Sequence, residues 1–319
     1  HLLSENNVNN DILIEEKNHL KIKMNQYYDT KARGYQIRSR AKWIEDGERS
    51  SSYFMRLEKK RQTFNQIDSL KDDTGEVLVN DTDILAHCVY FYKKLYSSTN
   101  PDIVEIDQYL EHTHMENKLD DENKTICEGP VSIQECQDAI KQLKDNKSPG
   151  IDGLPAEFYK TFLPEIESLL VDSFNESFIK GCLSDTQKTS ILSLMFKKTD
   201  RTLLKYYRPI SLSTTDYKIL AFILSNRLHK VISKLISLDQ TGCIKGRFMG
   251  TNVRLVNDII EYADRMNMGG AILFLDFEKA FDSVEWNFMW KTLRNFNFGD
   301  DFIKWIEVLY QSPPIASKE

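Results

Sequence analysis

Gly269 and Gly270 are followed by an unbroken apolar run, Ala271 to Leu275, which Asp276 closes. Such a run, bounded by glycines, predicts a strand buried on both faces with a carboxylate at its solvent end. Asp282-Ser283-Val284-Glu285 then has the form of an N-cap with an acid three residues in. It predicts a helix from near Ser283, capped by Asp282, with Trp286, Met289, Trp290, Leu293 and Phe296 on one face. Upstream, Asp11 to about Arg40 reads as helix, with Leu13, Leu20, Met24 and Tyr27 near heptad spacing. Gly75 to Val79 predicts a short strand and Ile84 to Tyr96 a helix. Ser132 and Glu135 form a capping box that opens a helix with Ile133, Cys136, Ile140 and Leu143 inward. Pro149-Gly150 and Asp152-Gly153 break it, and a further helix ends at Lys180-Gly181. Ser190 to Phe196 and Tyr206 to Leu212 flank a polar, basic turn and predict a hairpin with cations at its tip. Asp216 caps the next predicted helix, which carries Ile219, Ile223, Leu228 and Ile232. After a turn at Asn297 to Asp301, Phe302, Trp305, Ile306 and Leu309 line a last helix that Pro313-Pro314 stops.

Composition adds bounds. The 319 residues, 41% hydrophobic and 28% charged, are ordinary for a globular protein with a real core. The five cysteines (Cys88, Cys127, Cys136, Cys182, Cys243) are never spaced Cys-x-x-Cys. That pattern argues for a reducing compartment and against zinc or a disulfide framework. No apolar run approaches the ~18 residues of a membrane span. The N-terminus has neither an initiator Met nor a signal-peptide pattern, so the chain is expected to begin inside a longer reading frame.

The net charge of −6 hides strong local differences. Lys17 to Arg61 holds 13 Lys/Arg against 5 Asp/Glu, Gln66 to Glu128 holds 5 against 15, and Lys188 to Lys230 holds 9 against 2. Two basic segments around an acidic one predict phosphate-facing surfaces and a solvated spacer. In the first basic segment, Lys42-Trp43 and Arg49 to Phe54 interleave aromatics with cations, which suits bases that stack and phosphates that pair. His112-Thr113-His114, in a polar acidic stretch, reads as surface rather than as metal ligands.

Three stretches carry the chemistry. AILFLDFEKAFDSVEWNFMW, residues 271–290, puts an aspartate on a strand end before a tight turn and a helix. KSPGIDGLPAEFYK, Lys147 to Lys160, is a Pro/Gly-punctuated loop. Gln240 to Arg247, QTGCIKGR, combines two glycines with two cations, as close approach of a sugar-phosphate backbone requires. Together with Tyr206-Tyr207-Arg208-Pro209-Ile210, these stretches resemble the fingers and first palm motif of reverse transcriptases from retrotransposons without long terminal repeats. The resemblance covers the chain from about Trp43 onward.

That resemblance implies the α+β fold of a right-hand polymerase: a basic helical N-terminal extension (1–65), an acidic spacer (66–130), fingers (131–268) and the first part of a palm (269–319). It implies addition of deoxynucleotides to a DNA primer on an RNA template, with two Mg2+ ions. Asp276 would be the catalytic carboxylate that binds the metal, with the backbone carbonyl of Phe277 as a further ligand. Phe281 would be the steric gate against a 2′-hydroxyl. Arg208, Lys197 and Lys198 would hold the triphosphate, and Lys147, Gln240, Lys245 and Arg247 the template. Thr199 stands where the pattern expects a turn glycine, and Cys243 where it expects Phe. Tyr262-Ala263-Asp264-Arg265 resembles the Tyr-x-Asp-Asp box of these enzymes. It precedes Asp276, however, lacks the second acid, and lies in the helical pattern of Val256, Ile259, Ile260 and Ala263. The structural reading is preferred there.

On this reading the sequence stops before the true box, the fragment alone is expected to be inactive, and residues 269–319 are expected to be the least protected part of it. The implied setting is an intracellular ribonucleoprotein in nucleus or cytoplasm, with no membrane or disulfide partner. Group II intron maturases share the fingers and palm, but KSPGIDGLPAEFYK and LDFEKAFDSVEW favour the retrotransposon branch. A nucleic-acid-binding relic would use the same basic fingers without catalysis.

Overall fold

The computed structural model describes residues 66–310 except 100, 114, 116, 198 and 278, together with Lys17, 19–23, Gln26 and the backbone of Ile315–Ser317. The aromatic-basic stretch at 42–54 and most of the helix expected over 11–40 lie outside the described residues; Lys17, 19–23 and Gln26 are helical. Two compact units divide the chain: residues up to Val79 with Met195–Tyr206, and Asn80–Leu194 with Tyr207–Glu319.

In the first unit, β1 (Leu70–Lys71) pairs antiparallel with β2 (Val77–Leu78), Leu70 opposite Leu78. Asp72 closes the turn by accepting the amides of Thr74 and Glu76, both at 2.9 Å. The Lys71 amide donates to the Thr202 carbonyl at 2.7 Å, which joins this ribbon to the 195–206 segment.

The larger unit is mainly helical: α1 (Asp81–Leu95), α2 (Ile103–His112), α3 (Asp121–Cys127), α4 (Ile133–Gln142), α5 (Ala156–Thr161), α6 (Leu163–Lys180), α7 (Asp185–Lys188), α8 (Thr215–Leu235), α9 (Gly250–Arg265), α10 (Trp286–Asn295) and α11 (Asp300–Tyr310). Its three-stranded sheet runs in the order β4 (Tyr207–Ser213), β3 (Ser190–Phe196), β5 (Ile315–Ser317), with β3 and β5 parallel. Gly181 ends α6 in the left-handed conformation at φ 75°, as its sequence position predicts.

The core is built on α8, whose Ile219, Leu220, Ile223, Leu224 and Val231 are all buried. Around it pack Cys136, Ala139 and Ile140 of α4, Val171 and Phe174 of α6, and Phe302, Ile303, Trp305 and Val308 of α11. The predicted capping box is present: Glu135 donates its amide to Ser132, and the Glu135 carboxylate accepts the Ser132 amide. Ile133, expected inward, is exposed.

Two expectations change here. The acidic segment is not merely a solvated spacer, because its Leu119 and Cys127 sit in the same core as α4, α6, α8 and α11. Nor is 269–319 uniformly unprotected, since α11 supplies some of the most buried side chains of the unit.

Candidate functional site

Arg227 lies on the apolar stripe of α8, one turn after Ile223 and one before Val231, with only 3% of its surface exposed. Its Nε and Nη2 donate to the Glu135 carboxylate at 2.6 and 2.9 Å. Nη1 donates to the carbonyls of Cys127 and Gly129 at 3.1 and 2.9 Å, and Nη2 to Pro130 at 2.7 Å. The chain turning through 127–130 is thus wrapped on one guanidinium. Burial disfavours the charged Glu135, but the Arg227 hydrogen bonds and charge and the Ser132 bonds outweigh it and hold this carboxyl below its usual range. From the same turn, the Glu128 carboxylate accepts the Asp301 and Phe302 amides at the start of α11 at 3.3 and 3.0 Å. Arg227 counted among the cations of the second basic segment, yet it faces inward; an arginine on an apolar stripe was the available signal.

The KSPGIDGLPAEFYK loop lies against the start of α8. A Cβ on Gly150 would meet the Thr214 backbone at 2.6 Å, so only glycine permits this approach. The Thr215 hydroxyl donates to the Leu154 carbonyl at 2.6 Å, and Lys218 reaches the Ser148 carbonyl at 3.5 Å. Burial lowers the Lys218 pKa, and the Asp152 charge opposes that shift. Lys147 remains exposed beside this anchored loop. No side-chain cap from Asp216 starts α8; the N-cap is Thr214, and the Asp216 carboxylate accepts the Tyr217 amide.

The Gln240–Arg247 loop is held by its own arginine. Arg247 donates to the carbonyls of Ser233, Ser237, Ile236 and Gln240, the last two at 2.9 and 2.7 Å. These are the last carbonyls of α8 and the turn after it, where a cation also faces the negative helix end. Arg247 is therefore engaged in positioning, whereas Gln240 and Lys245 are exposed. Cys243 adopts φ 61°, in the left-handed region.

In the smaller unit, Lys197 is exposed and its amide donates to the Tyr206 carbonyl at 2.9 Å, closing the basic turn. Lys198 lies outside the described residues. Asp200 accepts the Thr202 amide and hydroxyl at 2.9 and 2.7 Å, and these bonds lower its pKa. Thr199 takes φ 86°, a glycine conformation at the position where the pattern expects glycine. In the larger unit, Arg208 on β4 is exposed.

The stretch around Asp276 departs most from expectation. Ala271–Leu275 is neither a strand nor buried; Leu273, Phe274 and Leu275 are each at least 75% exposed, and Asp276 is exposed with them. A strand needs neighbouring backbone to bond with, and among the described residues none pairs with this run. A turn follows in which the Lys279 carbonyl accepts the amides of Asp282 and Ser283 at 2.8 and 3.1 Å, leaving Phe281 93% exposed at its tip. Neither Ser283 nor Asp282 caps a helix. Helix α10 starts at Trp286 after Glu285, with no side-chain cap, because the Glu285 carboxylate bonds Ser98 and Thr99 instead. Leu293 and Phe296 do pack on the core as predicted, and Trp286 and Trp290 stand edge-on to Tyr310.

Tyr262-Ala263-Asp264-Arg265 is in helix α9, where Arg265 pairs with Glu261. The His112 ring sits 2.6 Å from the Gln108 carbonyl, and His114 is outside the described residues. All five cysteines are free, and no helix among the described residues is long and apolar enough to cross a membrane.

Residues 196–319 match the family model described as reverse transcriptase (RNA-dependent DNA polymerase). The "Transposon TX1 uncharacterized 149 kDa protein" of Xenopus laevis is 35% identical over 281 residues, which are 88% of this chain and 21% of that protein. A Pol polyprotein from type-1 retrotransposable element R1 of Bradysia coprophila is 26% identical over 49% of this chain and 16% of its own length. The RNA-directed DNA polymerase from mobile element jockey of Drosophila funebris is 26% identical over 49% of this chain and 17% of its own. The chain thus spans about a fifth or less of these relatives.

Proposed function

Since this chain is a relative of the reverse transcriptases of retrotransposons without long terminal repeats, we propose that it forms the fingers and opening palm of an RNA-directed DNA polymerase. Its partners are then an RNA template, a DNA primer and deoxynucleoside triphosphates, within an intracellular ribonucleoprotein. The observation that carries this reading is the family match across 196–319, which contains both Arg208 and the Asp276 motif.

The exposed residues support a division of roles. Arg208 pairs triphosphate oxygens, since a guanidinium fork bonds two at once, and Lys197 and Lys198 are further triphosphate candidates by the resemblance alone. Phe281 sets its ring against the sugar edge and excludes a 2′-hydroxyl. Lys147, Gln240 and Lys245 meet the template backbone, and Arg247 serves them by fixing the loop on α8. The Gly150 contact fixes the other template-facing loop on the same helix.

Two-metal nucleotidyl transfer needs several oxygens around cations ~3.5–4 Å apart. Asp276 and the Phe277 carbonyl supply two donor groups, and no cluster of three His, Cys, Asp or Glu side chains occurs among the described residues. This donor set does not fit a complete magnesium site, so no catalytic step is routed through one. The Tyr-x-Asp-Asp sequence is absent from these 319 residues. On this reading they bind substrate and template but do not polymerise by themselves.

The test is primer extension by the full-length polymerase. Asp276→Asn should abolish turnover while leaving RNA binding intact, and Asp264→Asn on α9 should leave turnover unchanged. Extension by Asp276→Asn at the parent's rate refutes the reading.

A further inference from the structure

The turn that presents Phe281 has no buried side chain at its tip and follows an exposed run, so its position has to be set from outside. Every third residue of it reaches the acidic segment. The Lys279 ammonium sits 4.6 Å from the centre of the Phe91 ring on α1. Asp282 lies beside Tyr96, the residue after α1, whose hydroxyl is pushed up to about 12 by burial first and then by the Asp282 charge. The Glu285 carboxylate accepts the Ser98 hydroxyl at 2.7 Å and the Thr99 amide and hydroxyl, both at 2.8 Å. Those bonds, the one from Ser98 foremost, lower the Glu285 pKa. Helix α1 buries Ile84 and Tyr92. Behind the turn, Lys291 of α10 bonds the Ile103 carbonyl and Asp107 of α2, which extends the same seam.

We propose that α1 and the Ser98-Thr99 turn are a positioning clamp that sets the Lys279–Glu285 turn, and through it the sugar selectivity exercised by Phe281. The acidic segment, by its sequence a spacer, is then part of the specificity machinery. The physical ground is that an exposed aromatic selects by steric contact only when its backbone is held to a fraction of an ångström. Here three interactions on one side of the turn provide that hold: cation–π, a tyrosine hydroxyl facing a carboxylate, and a carboxylate accepting three donors. The proposal rests on the gate reading of Phe281, and its test separates the two.

Amide exchange is measured on the chain itself, and ribonucleotide against deoxynucleotide incorporation in the full-length polymerase. Ser98→Ala with Thr99→Val should raise exchange across 279–285 on the order of tenfold. Exchange in Thr215–Leu235 should not change, which confirms the fold. The same pair should raise the ribonucleotide share about threefold or more, since a fraction of a hydrogen bond's energy suffices for that. Glu285→Gln, which keeps the shape of the group but not its charge, should fall between. Phe281→Ala should raise that share whatever the state of the clamp. Unchanged exchange in the paired variant overturns the clamp. Loosened exchange with an unchanged ribonucleotide share, in an enzyme where Phe281→Ala does raise it, also overturns the clamp and leaves the gate standing. If Phe281→Ala leaves the share unchanged, the gate reading falls and the selectivity role falls with it.

Discussion

Removing the Arg227 guanidinium should cost the larger unit a large part of its stability. Truncation to Ala leaves Glu135 ionised without its partner and strips donors from the Cys127, Gly129 and Pro130 carbonyls. Breaking a buried pair by deleting one partner costs about 3–5 kcal/mol. Glu135 is 26% exposed and keeps its Ser132 bonds, which favours the lower end; the orphaned carbonyls, at about 1 kcal/mol each, push the other way. A loss of about 3–5 kcal/mol compares with the ~5–15 kcal/mol total of a domain. Urea unfolding followed by the fluorescence of the buried Trp305 should show it, because the Trp305 indole donates to the Gly129 carbonyl in the turn that Arg227 holds. Arg227→Met combined with Glu135→Leu should recover most of the loss, since a well-packed apolar pair removes both charges together.

The pH dependence provides a second check. The Glu135 pKa is held down in the folded state, so its contribution is present above the unfolded value of about 4.3 and is lost as pH falls through the folded value. The deficit of Arg227→Ala should therefore shrink in acid. A deficit below about 1 kcal/mol at pH 7, or one independent of pH, would refute the clasp.

Three further outcomes follow from local geometry. Gly150→Ala forces a Cβ to within 2.6 Å of the Thr214 backbone and should destabilise the larger unit by about 1–3 kcal/mol in thermal unfolding; an unchanged Tm excludes the close approach. Thr199→Gly relieves a β-branched residue at φ 86° and should stabilise the 195–206 turn by about 1 kcal/mol, seen as slower exchange of its amides. Single-stranded RNA binding should weaken steeply with salt; Lys147→Ala and Lys245→Ala should each reduce the log–log salt slope by about 0.7. Arg247→Ala should instead lower the Tm, and equal effects of all three on the slope would argue against the division drawn between them.

Local signals in the sequence were readable where local bonding decides the structure. Ser132 and Glu135 cap α4 because both partners lie within one turn, and Gly181 ends α6 because only the backbone is involved. Thr199 was conspicuous because it replaced a glycine, and it adopts the glycine conformation. The same logic misled at Asp282-Ser283-Val284-Glu285, where the capping pattern is intact but Glu285 is claimed by Ser98 and Thr99, 186 residues or more away along the chain. Arg227 and Glu128 were illegible for the same reason: their partners are remote, and a count of charges cannot distinguish a cation facing solvent from one wrapped in carbonyls. The run at 271–275 shows the limit of apolar pattern. It specifies that a segment suits burial between neighbours, but the burial depends on which neighbours are present.

That last point bears on how the chain is divided energetically. Helix α9 has no buried residue, although Val253, Leu255, Ile259, Ile260 and Tyr262 give it an apolar face, and the 271–277 run that follows is exposed as well. Both surfaces suit a palm sheet on the polymerase reading. Helix α11, further along, has left that region altogether: Glu128 caps its start, Gly129 receives its Trp305, and Phe302, Ile303 and Val308 enter the core of α4, α6 and α8. At about 1.5–3 kcal/mol for each fully buried side chain, those three residues alone contribute several kcal/mol to the larger unit. The 296–309 segment is therefore an integral strut of the larger unit's core. The core of the larger unit draws on both sides of Asp276 and does not depend on burial of the 271–277 run. On the polymerase reading, that run takes its shape from a palm sheet, and the turn after it is held by α1.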